Sequence, residues 1–224
     1  MALPGCARHS EAPPSGAGAV ISVQQHLDMA KKLIKQGNYD EAYIHLSNAL
    51  QMSPYDPTVY QNLGWMYLYN DEPDRVKAEL DKLKKLAPDD PETHYLAGAL
   101  LARLEQHEDA LEEYEAARKA MPDNAESAPH LAFDTATSQS ALNRHEEALK
   151  TLQTGLKRVP EKDASQQTNF WYAICSEQYK LKQFRAALES CSKAMAVSPS
   201  DEEKQRIQDL IENLKLLEII ETDQ

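Results

Sequence analysis

Apolar positions recur in a fixed frame from residue 23 to residue 201. Ala42, Val76 and Ala110 stand 34 residues apart, and Ala148 and Ala187 follow at steps of 38 and 39. Pro54, Pro88 and Pro122 keep the 34-residue step, and Pro160 and Pro199 repeat the two longer ones. Laid on a 34-residue frame, the units run 23–56, 57–90, 91–124, 129–162 and 168–201, so the extra four and five residues lie ahead of the first helix of units four and five. Of the nine prolines beyond residue 20, five occupy position 32 of a unit and three (Pro57, Pro91, Pro129) occupy position 1. Pro73 stands in the turn between two helices. Proline suits the first turn of a helix or a point just past its end, so each unit reads as helix–turn–helix.

Side-chain size follows the same frame. Positions 8, 20 and 27 are small in most units: Ala30/Ala42/Ala49, Gly98/Ala110/Ala117, Ala136/Ala148/Gly155 and Cys175/Ala187/Ala194. Small residues there let paired helices approach toward the short end of the ~8–10 Å range. Unit two departs, with Val76 and Leu83 in that seam. Large residues at positions 4, 11, 17 and 24, among them Tyr60, Trp171, Tyr67, Tyr39, Phe184 and Tyr114, read as filling between helices.

The closing sections Gly37-Asn-Tyr39-Asp-Glu-Ala42 and Ala49-x-x-x-x-Pro54, with Tyr60-x-x-Leu63-Gly64-x-x-Tyr67 in unit two and Trp171, Phe184, Ala187, Ala194 and Pro199 in unit five, resemble the tetratricopeptide repeat family. That resemblance implies an all-α fold: a right-handed superhelical solenoid of five helix–turn–helix units. Residues 202–221 add a capping helix, with Ser200 as its N-cap and Ile207, Leu210, Ile211, Leu214 and Leu217 as the stripe that covers unit five. Leu216, Ile219 and Ile220 fall outside the stripe and widen the apolar surface, which reads as extra packing on unit five, with self-association or a partner contact as the alternative. Residues 1–20, rich in glycine and proline and without periodicity, read as a disordered leader.

In this family the first helix of each unit lines a concave groove. Carried over position by position, the partner-binding residues are Leu27, Lys31, Gln61, Trp65, Tyr69, Tyr95, Arg103, Phe133, Tyr172 and Tyr179. Phe133 and Tyr179 also fit a packing role. The family's best-known groove chemistry, a clamp of Lys, Asn and Arg around the terminal carboxylate of a heat-shock protein, is not reproduced. Units one to three offer Leu27, Lys31, Asn62, Glu92 and Leu96 at its five positions, and units two to four offer Gln61, Trp65, Leu96, His130 and Asp134.

Charge narrows the partners. Acidic residues outnumber basic ones 36 to 24, a formal charge of −12, which disfavours nucleic acid and anionic membrane surfaces. No apolar stretch approaches the ~20 residues of a membrane span. Phosphate-loop, serine-hydrolase, zinc-protease and Cys-x-x-Cys motifs are lacking, so no catalytic, cofactor-binding or metal-binding residues and no small-molecule substrate are expected. His107 and His145 share position 17 and read as packing imidazoles. Cys175 and Cys191 fall at interior positions and read as inert thiols. Three scattered cysteines suggest a reducing, cytoplasmic setting. Leu3-Pro-Gly-Cys6 resembles a lipoprotein cleavage site, which gives the alternative of a lipid-anchored periplasmic assembly factor if an apolar segment precedes it. The expected function is a non-enzymatic scaffold or adaptor for a protein or peptide segment.

Overall fold

The computed structural model describes residues 21–122 and 124–222, with side chains to Leu217, so the proposed leader lies outside the described residues. Among the described residues eleven helices follow one another: α1 (Val23–Lys35), α2 (Tyr39–Met52), α3 (Pro57–Tyr69), α4 (Pro73–Leu86), α5 (Pro91–Arg103), α6 (His107–Ala120), α7 (Ala128–Ala141), α8 (His145–Leu156), α9 (Ala164–Lys180), α10 (Phe184–Val197) and α11 (Asp201–Thr222). Consecutive pairs form five hairpins, and each second helix also packs on the first helix of the next hairpin. First helices touch one another directly from α1 through α3 and α5 to α7. The result is an all-α superhelical solenoid closed at its C-terminal end by α11.

Start signals are local. Ser22 and Gln25 form a reciprocal capping box on α1, and the Asp56 carboxylate accepts from the Thr58 N–H at 2.9 Å ahead of α3. Pro57, Pro73 and Pro91 each open a helix, so Pro73 begins α4 and does not stand in the turn before it. The first turn of α9, residues 164–167, is made from residues expected to precede the helix; the Asp163 carboxylate caps it by accepting from Gln166 N–H.

Each turn inside a hairpin is built the same way. Gly37, Asp71, Glu105, Asn143 and Lys182, all at position 15, hold φ between 58° and 75°. The following N–H reaches back over the turn, as from Asn38 to Leu33 O at 2.9 Å and from Gln183 to Gln178 O at 2.8 Å. This closure satisfies the orphan carbonyls at the end of the first helix. Only unit one uses glycine for the left-handed residue, so four turns keep this geometry against the residue's own preference.

The seam of small residues is fully buried. Ala30, Ala42, Ala49, Ala110, Ala117, Ala148, Ala187 and Ala194 expose almost nothing, as do the larger Val76 and Leu83 of unit two. A Cβ on Gly98 would lie 2.5 Å from the Tyr114 ring and 3.1 Å from Ala110 O, so this crossing has no room for alanine.

Unit five corrects one expectation. Cys175 and Cys191 are not free thiols but form a disulfide between α9 and α10. Positions 8 and 24 face each other across the hairpin seam, and the Cα separation of 5.3 Å is within disulfide reach. Both sulfurs sit in the cluster that α11 covers with Ile207, Ile211 and Leu214. Ser200 Oγ accepts from the Glu203 N–H at 3.3 Å at the start of that helix.

Candidate functional site

The expected groove residues fall into three groups. Trp65, Tyr69 and Tyr95 form one aromatic wall on α3 and α5. The Trp65 ring stacks on Tyr69 at 5.9 Å and tilts against Tyr95 at 4.7 Å, and Tyr95 leans on Tyr114 at 6.1 Å. Trp65 is half-buried and Tyr69 is 59% exposed, whereas Tyr95 is 5% exposed and forms the base of the wall. Four-residue spacing on a helix puts Trp65 and Tyr69 on one face, and the next first helix brings Tyr95 beside them.

The second group is polar and lies along the same helices. Lys31 is exposed on α1 and Gln61 donates to Asp90 Oδ2 at 2.8 Å. Arg103 donates twice to Asp71 Oδ1, at 2.9 and 3.1 Å, at the exposed end of α5. Glu92 accepts from the Ser127 hydroxyl; burial pushes its carboxyl up, against the lowering effect of that hydrogen bond and of Lys31.

The third group belongs to packing or to the far end of the array. Leu27 is buried in the core of the first hairpins and offers no face to a partner. Phe133, half-buried, meets Phe170 edge-on at 5.4 Å against the core of units four and five. Tyr179 leans on Phe184 at 6.1 Å and, like Tyr172, is 42% exposed. These two rings on α9 make no ring contact with the Trp65 wall. Leu216 is exposed on α11, whereas the side chains of Ile219 and Ile220 lie outside the described residues.

Two carboxylates that the groove positions did not include dominate the electrostatics. Asp134 on α7 accepts from the Tyr95 hydroxyl at 2.7 Å. Burial raises its carboxyl above the ordinary value, against the lowering effects of that hydrogen bond and of His130. The nearby negative charge in turn helps to raise the hydroxyls of Tyr69, Tyr95 and Tyr114, in each case after burial itself. The second is Glu177 on α9, which accepts from Ser140 Oγ at 2.8 Å and Lys180 Nζ at 2.7 Å and pairs with His145 Nδ1 at 2.8 Å. Burial pushes Glu177 up, but these three partners together hold it below the ordinary range. His145 is therefore a hydrogen-bond partner as well as a packing group. The signal for Asp134 was present in the failed clamp: position 6 of unit four holds a carboxylate where that clamp requires a cation.

A second concavity of about 610 Å³ lies between α6 and α8 with α7 as its floor. Its rim carries both signs, including Glu115, Arg118, Glu147 and Lys150. Among the described residues no group of three or more His, Cys, Asp or Glu side chains is placed to hold a metal ion, and no helix is long and apolar enough to cross a membrane.

Comparison with known proteins agrees with this architecture. Residues 33–104 match the tetratricopeptide repeat family model. Yeast Tom70 superimposes with a TM-score of 0.71 at 16% identity over 90% of this chain, which spans 42% of the Tom70 chain. A thermophilic tetratricopeptide repeat protein of Thermus thermophilus, TTC0263, gives 0.67 at 18% identity over 87% of this chain and all of its own. YrrB, described as a tetratricopeptide repeat protein with an unusual peptide-binding site, gives 0.55 at 18% identity over 84% of this chain and 92% of its own. No curated protein matches the chain in sequence. At these identities the likeness is one of fold. The family-model match over residues 33–104 agrees with it, so the chain is similar to tetratricopeptide repeat proteins in fold and, over that stretch, in sequence pattern.

Proposed function

We propose that the chain is a non-enzymatic adaptor whose concave groove receives an extended or helical segment of a partner protein, without the heat-shock carboxylate clamp. The observation that carries this reading is the continuous aromatic wall of Trp65, Tyr69 and Tyr95, rigid at its base and open at Tyr69. Buried aromatic anchors contribute ~2 kcal/mol or more each at interfaces. Tetratricopeptide repeat proteins act as protein-interaction scaffolds, and YrrB is described as having a peptide-binding site of its own. Tyr172 and Tyr179 extend the groove toward its C-terminal end, and Leu216 adds a smaller self-association contact.

The test is a partner recovered with the full chain and then titrated against variants. Trp65→Ala with Tyr69→Ala weakens binding at least ~30-fold on the anchor energies above, whereas Tyr55→Ala, on an exposed ring outside the groove, leaves it unchanged. Binding that is indifferent to the paired variant yet falls steeply with salt would place the partner elsewhere.

The disulfide supports a second reading, a periplasmic or otherwise oxidising location, because such bonds persist where thiols are not kept reduced. Thiol titration of the protein drawn from its native compartment decides this point: one reactive thiol in denaturant supports an oxidising location, and three support the cytoplasm.

A further inference from the structure

We propose that Asp134 and the wall of Trp65, Tyr69 and Tyr95 form a receptor for a cationic side chain, a lysine or arginine presented by the partner segment. The inference rests on the groove reading above and supplies its chemistry.

Asp134 is unusual in what it lacks. Among the described residues its one hydrogen-bond partner is the Tyr95 hydroxyl, which engages Oδ2, and no lysine or arginine pairs with it. No hydrogen bond engages Oδ1 among the described residues, and the residue as a whole is only partly buried. The side chain is therefore crowded by protein yet open on one side, as expected low in a concave wall. A charge in that setting is poorly solvated, and an incoming cation that brings its own hydrogen-bond donors replaces the missing solvation.

The surrounding rings favour the same ligand. The Trp65 ring lies within 6 Å of both Tyr69 and Tyr95, so the three make one open aromatic wall, and ring faces attract ammonium and guanidinium groups. Nearby basic side chains do not fill the position: Arg103 is engaged by Asp71, and His130, exposed one turn earlier on α7, makes its hydrogen bond with Gln166. The position that anchors an acidic terminus in clamp-bearing relatives of this fold is thus reversed in sign. Charge complementarity with a chain of −12 points the same way. An acidic or purely apolar segment would desolvate the carboxylate further without supplying a counter-charge, a repulsive element that sharpens selection.

The test is selection of a random peptide library on the full-length protein, followed by synthesis of the enriched peptides. The expected result is a shared lysine or arginine flanked by apolar residues. Asp134→Asn keeps the acceptor for Tyr95 and lowers affinity for such a peptide at least ~10-fold, and replacing the peptide's basic residue by glutamine costs the same. The two changes together cost no more than either alone, since they remove one interaction. Thermal melting shows that the variant is folded. Enriched peptides without a basic residue, or full affinity in Asp134→Asn, overturn the cation receptor, while loss of binding in the Trp65/Tyr69 double variant still upholds the groove. If no peptide is enriched, or that double variant binds as well as the parent, the groove reading falls and this proposal falls with it.

Discussion

Glu177 and Asp134 are both carboxylates on first helices of the array, one on α9 and the other on α7, and they are held in opposite ways. Glu177 is saturated by a hydroxyl, an ammonium and an imidazole, and its acidity is strengthened. Asp134 has one phenol, one oxygen without a hydrogen-bond partner among the described residues, and a weakened acidity. The regions around them differ in the same sense. Glu177 ties α9 to α7 and α8 just beside the Cys175–Cys191 disulfide, and α11 covers that hairpin. Asp134 sits where α3, α5 and α7 pack directly and present rings to solvent. One end of the solenoid is locked by bonds whose partners are all within the chain. The middle keeps a group whose best partner is absent from it, and that difference separates a structural charge from a recognition charge.

The largest expected break concerns the locked end. Reducing the disulfide, or replacing Cys191 by serine, costs about 3 kcal/mol by the chain-entropy relation for a loop of this size. Chemical denaturation with and without reductant measures it. A change below ~1 kcal/mol would mean that α11 and the seam hold unit five without the bond.

Next comes Glu177→Gln, at about 2 kcal/mol, less than a fully buried pair because Lys180 and His145 are partly exposed. Its sign with pH is fixed by linkage. A carboxylate whose value is depressed on folding contributes stability above the ordinary range of ~4.3 and loses it as pH falls through its lower folded value. The variant therefore flattens the acid limb of the stability curve. An unchanged limb would mean that the network is not formed in solution.

The smallest effect has the opposite sign. The Asp134 value is raised on folding, so its charge opposes folding at neutral pH, and that penalty is relieved as pH falls through the raised value toward the ordinary ~3.9. Asp134→Asn is expected to raise the melting temperature by ~2–4 °C, the shift that ~1 kcal/mol produces in a domain of this size. It should also remove a gain in stability seen in the parent on mild acidification. A variant that melts lower than the parent would make Asp134 a structural residue and erase the contrast with Glu177. A gain in stability joined to a loss of peptide binding would sharpen it.

Period and residue size made most of the fold legible. Prolines at position 1 open α3 and α5, and the small residues at positions 8, 20 and 27 are buried in every unit. These signals act over a few residues, or between two helices that the same 34-residue unit contains. The site was read less fully. Trp65, Tyr69 and Tyr95 do meet, because repeat geometry carries each position onto its neighbour. Leu27 satisfied the same positional rule and went into the core, and Phe133 packs half-buried against it, since a helix face near the array's edge or beside an insertion is covered by whatever packs there. The disulfide was misread because cysteines sixteen residues apart on separate helices have no sequence signature of contact.

By itself, then, the chain's own order of residues determined the number of hairpins, their seams and the side of the array on which rings gather. Each of these follows from local propensity and from a spacing repeated five times. Only the tertiary structure decided which charges are satisfied. Asp134 and Tyr95 are 39 residues apart, as Glu177 and Ser140 are 37 apart, and whether such groups end paired, buried or open depends on how neighbouring units are stacked. Pairing and desolvation are properties of that stacking, and no single repeat contains them.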